Sequence, residues 1–181
     1  MKRILLISAG AIVAILAVLV YVGFNRMKTI SPEKTSFYEK DGLKIKVTYN
    51  SPSKRGREIF GGLVPYGKVW RTGANEPTIF ETNEEITIQG KKLPKGTYSL
   101  WTIPNQNAWT VIFNSEIPFW GVNFNRQTTR ETKNDVLLVD VPALIQEKEF
   151  EEFTISVEQG AEDAEIIFLW DKTLVAVPFS K

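Results

Sequence analysis

From Leu43 to Tyr49 the chain alternates, with Leu43, Ile45, Val47 and Tyr49 apolar and Lys44, Lys46 and Thr48 polar between them. A period of two marks a strand with one buried face. Asp41-Gly42 just before it is a hairpin turn pair. The same alternation returns from Ala108 to Asn114, where Trp109, Val111 and Phe113 share a face, and in Phe153, Ile155 and Val157 between Thr154, Ser156 and Glu158. Ile86-Thr87-Ile88 leads into Gln89-Gly90, and Pro94-Lys95-Gly96 turns the chain into a strand from Thr97 to Ile103. Val136 to Val141 is almost continuously apolar, which predicts a central strand. Ile166–Trp170, Asp171-Lys172 and Thr173–Val177 read as a closing hairpin, and only Pro142–Glu152 has room for a helical turn.

Eight or so short strands separated by turn residues predict an all-β fold, an antiparallel β-sandwich or jelly-roll-like domain. Its expected core contains Val47, Trp109, Val111, Phe113, Val139, Ile155, Phe168 and Trp170. Trp101 falls out of phase with Tyr98 and Leu100 and fits either face.

The N-terminus breaks this pattern. Ile4 to Phe24 carries no charge, and as a helix it is about 30 Å long, the thickness of a bilayer's hydrocarbon core. Lys2 and Arg3 precede it, while Arg26 and Lys28 follow. A cleavable signal peptide is the rival reading, but its apolar region is shorter, about 7–15 residues, and ends in small residues. Here the run closes on Leu19-Val20-Tyr21-Val22-Gly23-Phe24. The expectation is therefore a membrane anchor over residues 1–28, one transmembrane helix at 4–24, and a β-domain over 29–181. The basic flanks balance, and the N-terminal amine tips the helix toward an internal N-terminus. This predicts a single-pass protein of the cytoplasmic membrane with its C-terminal domain outside. Asn25–Ser36 reads as a short tether.

Charge narrows the partners. Beyond residue 28 there are 18 Lys+Arg (22 less four) against 21 Asp+Glu, a net of −3, and Glu147–Glu165 is strongly acidic. No nucleic-acid partner is expected from such a balance. The chain has no cysteine and no histidine. That removes disulfides, thiol and Ser-His-Asp catalysis and the usual zinc sites, so no metal and no cofactor are expected and any catalytic residue is unknown. An exported chain without cysteine suits a bacterial envelope.

Ser51–Thr78 looks least like scaffold. It holds Gly56, Gly61, Gly62, Gly67 and Gly73 with Pro52, Pro65 and Pro77, and Lys54, Arg55, Arg57, Lys68 and Arg71 outnumber Glu58 and Glu76. Long irregular segments of this kind are often functional. Gly62–Val69 resembles a phosphate-binding loop, but Val69 stands where magnesium needs a hydroxyl, and Gly73 and Pro77 deny it a following helix. It is read as a chance match.

Trp70-Arg71-Thr72-Gly73-Ala74-Asn75-Glu76 is the better candidate. It joins a guanidinium fork, a hydroxyl, an amide and a carboxylate to an indole, the chemistry that recognises an anion or stacks on a sugar. Arg57 and the loop residue Trp120 join Trp70, Arg71, Thr72, Asn75 and Glu76 as candidate binding residues. The competing reading is a packed loop, in which Arg71 is a strut paired with Glu76 or the acidic stretch and Asn75 caps a turn. Trp109 and Trp170 fit the core, leaving Trp70 and Trp120 as the exposed aromatics. Glu58, Glu76 and Glu116 are the loop acids from which a glycosidase-like carboxylate pair would be drawn.

The run from Ser51 through Thr78, with Gly90-Lys91-Lys92-Leu93-Pro94-Lys95-Gly96-Thr97-Tyr98-Ser99-Leu100, Trp109–Asn114, Trp120-Gly121 and the Trp170 region, closely resembles a bacterial family catalogued as domain of unknown function 2911. The resemblance covers nearly all of the soluble part. It implies an exported β-domain of the cell envelope and carries no catalytic role with it. The candidate functions are a binding module for a glycan or anionic envelope ligand, a structural or assembly protein that contacts another envelope protein through the same loop, and a carboxylate-dependent hydrolase.

Overall fold

The computed structural model describes residues 2–181, with side chains from residue 12 onward. Helix α1 runs from Lys2 to Ile30; the side chains of the expected anchor's first part, 4–11, lie outside the described residues. From Ile12 to Ile30 the helix is long and apolar enough to cross a membrane, and its side chains stand exposed apart from a half-buried Phe24. The helix continues through the stretch expected to be a tether, because Asn25–Ile30 contains no helix breaker.

Beyond it the chain is antiparallel sheet, as its alternation requires. Strands β1 (Glu33–Lys40), β2 (Leu43–Asn50) and β3 (Thr78–Thr82) are followed by the short hairpin β4 (Ile86–Ile88) and β5 (Lys91–Leu93). Strands β6 (Gly96–Pro104), β7 (Ala108–Asn114), β8 (Asp135–Gln159) and β9 (Ala164–Phe179) complete the chain. The main sheet has the order β1-β2-β3-β6-β7-β8-β9, a meander from which the β4–β5 hairpin makes an excursion. Asp41 and Gly42, both at positive φ, turn β1 into β2.

Two expectations change. Pro142–Glu152 lies wholly within β8, and Ile166–Val177 is one strand. Asp171 adopts φ 54° and kinks β9 without ending it, since Leu169 pairs with Thr154 and Thr173 with Ile145 on either side. The two apolar runs thus face the length of β8 instead of each other. β8 carries extra residues between Ile145 and Thr154, and such bulges bend a strand. Bent in this way, its second half returns to the start of the sheet. Phe153 N–H donates to Pro52 O (2.9 Å), Lys54 N–H to Glu151 O (2.7 Å) and Val157 N–H to Ser36 Oγ (3.0 Å). The sheet curls on itself, and the curl encloses the core.

All eight expected core residues are buried there, none more than 2% exposed. At one part of this core Phe60, Trp70, Trp109, Phe153 and Trp170 form a single aromatic cluster with ring centroids 4.9–6.2 Å apart. Trp101 takes the other face. It and its cross-strand partner Ile112 are fully buried beneath the segment after Asn114, where Ser99 Oγ donates to Glu116 O (2.5 Å) and Asn114 Nδ2 to Glu131 O (2.9 Å). That covering segment matters because it also reaches the loop of Ser51–Thr78.

Candidate functional site

Ser51–Thr78 folds over the aromatic cluster. Ile59, Phe60 and Val64 are buried, and Trp70 pairs with Thr102 through both backbone hydrogen bonds (2.7 and 3.0 Å). The indole of Trp70 donates to Gly73 O (3.0 Å) and stacks on Trp170, with centroids 5.9 Å apart. Trp70 is therefore a half-buried member of the cluster and not the free stacking platform expected. Gly73 has φ 152°, and a Cβ there would stand 2.8 Å from Asn50 O, so the backbones meet only because this residue is glycine.

The next residues are held in costly conformations. Thr72 (φ 55°) and Asn75 (φ 57°) are left-handed, as are Arg55 (51°) and Arg126 (61°) nearby. For a β-branched residue such as Thr72 this is a genuine outlier, and backbone strain of this kind gathers at functional sites. Thr72 is completely buried, its hydroxyl 3.1 Å from Thr102 Oγ1 and its carbonyl accepting from Thr78 Oγ1 (2.6 Å).

Between this turn, the end of α1 and the covering segment lies a cavity of about 410 Å³. Arg55, Arg57, Lys68, Arg71 and Arg126 line it together with Trp70, Trp170, Asn75, Val122, Met27 and Ile30. No carboxylate does. Among the described residues none of these five cations forms an ion pair. Arg57 is instead oriented by backbone, Nε donating to Lys54 O (2.9 Å) and Nη2 to Ser53 O (2.6 Å). Arg55 Nη2 donates to Ile30 O (3.2 Å), while its backbone N–H donates to Glu151 Oε1 (2.8 Å).

Arg71 is the centre of the arrangement. Its Nε is the one buried side-chain polar atom without a hydrogen-bond partner among the described residues. Burial pushes its guanidinium below the ordinary value. The strut role expected for Arg71 is corrected: it is half-buried in the cavity wall and meets no carboxylate, because Glu76 turns away to Lys28 Nζ (2.8 Å) and Asn50 Nδ2 (3.1 Å). Lys54, by contrast, is a strut, its ammonium 2.6 Å from Asp171 and 2.8 Å from Glu149.

Of the candidate residues, Arg57, Trp70, Arg71 and Asn75 line this cavity, and Thr72, Glu76 and Trp120 do not. Asn75 does not cap a turn; its amide donates to Asn50 Oδ1 (3.4 Å) and its carbonyl accepts from Gly121 N–H (3.1 Å). Trp120 packs on Phe24 of the helix (5.5 Å) and Phe119 (6.4 Å). Sequence reasoning missed Arg55, Lys68 and Arg126. The first two belong to the basic excess it noticed, but nothing in the sequence separates them from the paired Lys54. Arg126 comes from a distant loop that only the tertiary fold brings in. The phosphate-loop-like stretch leads into turns without a helix, as expected.

An antiparallel, curled β-domain behind one apolar N-terminal helix, with a cationic cavity where the two meet, is the class that the geometry defines. Residues 31–179 match the family described as Protein of unknown function (DUF2911), and the chain belongs to it. No curated protein and no solved structure matches the chain.

Proposed function

We propose that the protein is a single-pass, membrane-anchored module of the cell envelope whose extracytoplasmic β-domain binds an anionic ligand in the Arg71 cavity. The observation that carries this reading is Arg71 itself: a half-buried guanidinium whose Nε is shut away from solvent without a partner, with no acid among the described residues to meet it. A buried N–H without a partner is costly, and an entering carboxylate or phosphate removes that cost with charge-assisted, bidentate hydrogen bonds. Arg55, Arg57, Lys68 and Arg126 supply the surrounding positive field. Carboxylate-pair hydrolysis gains no support, since neither Glu58, Glu76 nor Glu116 lines the cavity.

The anchor part rests on the length and exposure of the apolar helix. Its proposed orientation rests on the evenly matched basic flanks and the N-terminal amine. A periplasm-dependent phosphatase fused at the C-terminus is expected to be active, and an inactive fusion defeats the orientation. For the ligand, the full chain in neutral detergent is titrated with pyrophosphate and with glucuronate while its melting is followed. A rise in melting temperature with either anion, abolished in Arg71→Met, is the expected result. No rise with either defeats the anion-binding reading.

A further inference from the structure

A second feature lies beside the cavity. Ile117, Phe119 and Phe124 project from the covering segment at 47%, 83% and 108% exposure. Trp120, between them, packs at a tilt on Phe24, the last apolar residue of the charge-free run. Val122 and Arg126 of the same segment share the cavity wall with Met27 and Ile30 of the helix's last turns. The aromatic segment therefore sits where the helix leaves its apolar stretch. A short bridge between Val122 and Thr128 holds the tip, and Asn123 Oδ1 accepts from the backbone N–H groups of Asn125 (2.9 Å) and Gln127 (3.0 Å). Phe124 is thus displayed on a braced turn instead of folding back onto the domain.

We infer that Ile117–Phe124 rests in the lipid–water interface of the bilayer that the helix enters, seating the cavity mouth at headgroup level. Exposed phenylalanine and isoleucine side chains leave water when they enter the headgroup–acyl boundary, and that burial is favourable. The charge around the patch agrees. Arg126 stands in the same segment, and Arg55 and Arg57 line the same cavity without an ion pair among the described residues, which favours anionic headgroups. The soluble part as a whole is net negative (18 − 21 = −3). A general attraction to anionic lipid is therefore not what would orient the domain; this local aromatic and basic patch is.

The inference rests on the anchor part of the proposed function but not on the anion site, and the test separates them. The chain has no cysteine, so Phe124→Cys, Phe119→Cys and Glu162→Cys each give one attachment point for a polarity-sensitive fluorophore. Glu162 lies beside Lys40 and Asp41, at the end of β1 remote from the helix, roughly 25 Å along a strand of this length. The labelled full chain is reconstituted into phosphatidylglycerol–phosphatidylcholine vesicles containing a lipid spin-labelled near its headgroup, and flotation is scored in parallel. Labels at 119 and 124 are expected to be quenched at least about threefold more than the label at 162. A chain that floats with 119 and 124 no more quenched than 162 overturns the inference alone, and a partner protein or second copy on this patch would give that same result. A chain that fails to float overturns the anchor and the inference together.

Discussion

The side chain of Arg71 lies directly against Gly121: a Cβ at 121 would stand 2.8 Å from Arg71 Cβ and 3.1 Å from its Cγ, and would overlap Cδ. Gly121 is itself fixed by its N–H to Asn75 O (3.1 Å) and its carbonyl to Thr129 N–H (3.3 Å), so it cannot retreat. The covering segment thus sets where the guanidinium points. Gly121→Ala is expected to displace Arg71, cost about 1–3 kcal/mol as overpacking does, and weaken pyrophosphate or glucuronate binding. Calorimetric titration beside thermal melting checks it; unchanged affinity with unchanged stability removes Gly121 from this role.

Arg71 and Arg130 make opposite predictions. Arg130 is 8% exposed and meets Asp135, 9% exposed, along one guanidinium edge, Nε and Nη2 donating to the two carboxylate oxygens. Arg130→Ala leaves that carboxylate with the Asn114 amide (2.8 Å) but no countercharge and is expected to cost about 3–5 kcal/mol. Arg71→Met strands nothing and removes a buried nitrogen without a partner, a group that costs about 1–3 kcal/mol to leave unsatisfied. The unliganded Arg71→Met protein is therefore expected to be as stable as the wild type or more so, while losing anion binding. Denaturant unfolding of the two variants distinguishes them, and a large loss in Arg71→Met shows that its packing matters more than its charge.

Much of the fold was legible because the signal was local. Alternation placed β2 and β7 to within a residue, and the apolar faces of both contain the residues found in the core. The fate of Ile166–Val177 was not legible, since Asp171-Lys172 has turn chemistry and only the long partner β8 keeps the ladder going through it. The candidate site divides in the same way. The Trp70–Glu76 run located the strained turn, and Arg57, Trp70, Arg71 and Asn75 do converge. Which cations are neutralised was hidden, because Lys54 meets Asp171 across 117 residues of sequence, and Arg126 arrives from the covering segment.

Trp70 tests whether the turn is also a structural keystone. Its ring lies 4.9 Å from Phe153 and 5.9 Å from Trp170, inside the cluster that the loop covers. Trp70→Ala is expected to cost about 3–5 kcal/mol, the range for a large aromatic removed from a core, whereas Trp120→Ala, at the helix contact, should cost less. Denaturant midpoints of both variants decide it. Equal, small effects would mean that Trp70 is available to a ligand after all.

The contact between Glu76 and Lys28 ties the helix to the domain and should titrate. Burial acts to raise the Glu76 carboxyl, but the hydrogen bond and charge of Lys28, the residue's own backbone N–H and the Asn50 amide outweigh it and hold the carboxyl below its ordinary value. A carboxyl depressed in the folded state binds its proton less readily than in the unfolded chain. Its stabilising contribution is therefore present above the unfolded value of about 4.3 and is lost as pH falls through the lower, folded value. Melting temperatures of the wild type and Glu76→Gln, followed downward from about pH 6, are expected to differ most at the start and to converge only as pH falls below the ordinary carboxyl value. Met27 and Ile30, in the same last turns of the helix, wall the cavity, so anion affinity in Glu76→Gln should fall with the contact. Parallel melting curves across the range, with affinity unchanged, would show that Lys28 and Glu76 do not hold the helix in place.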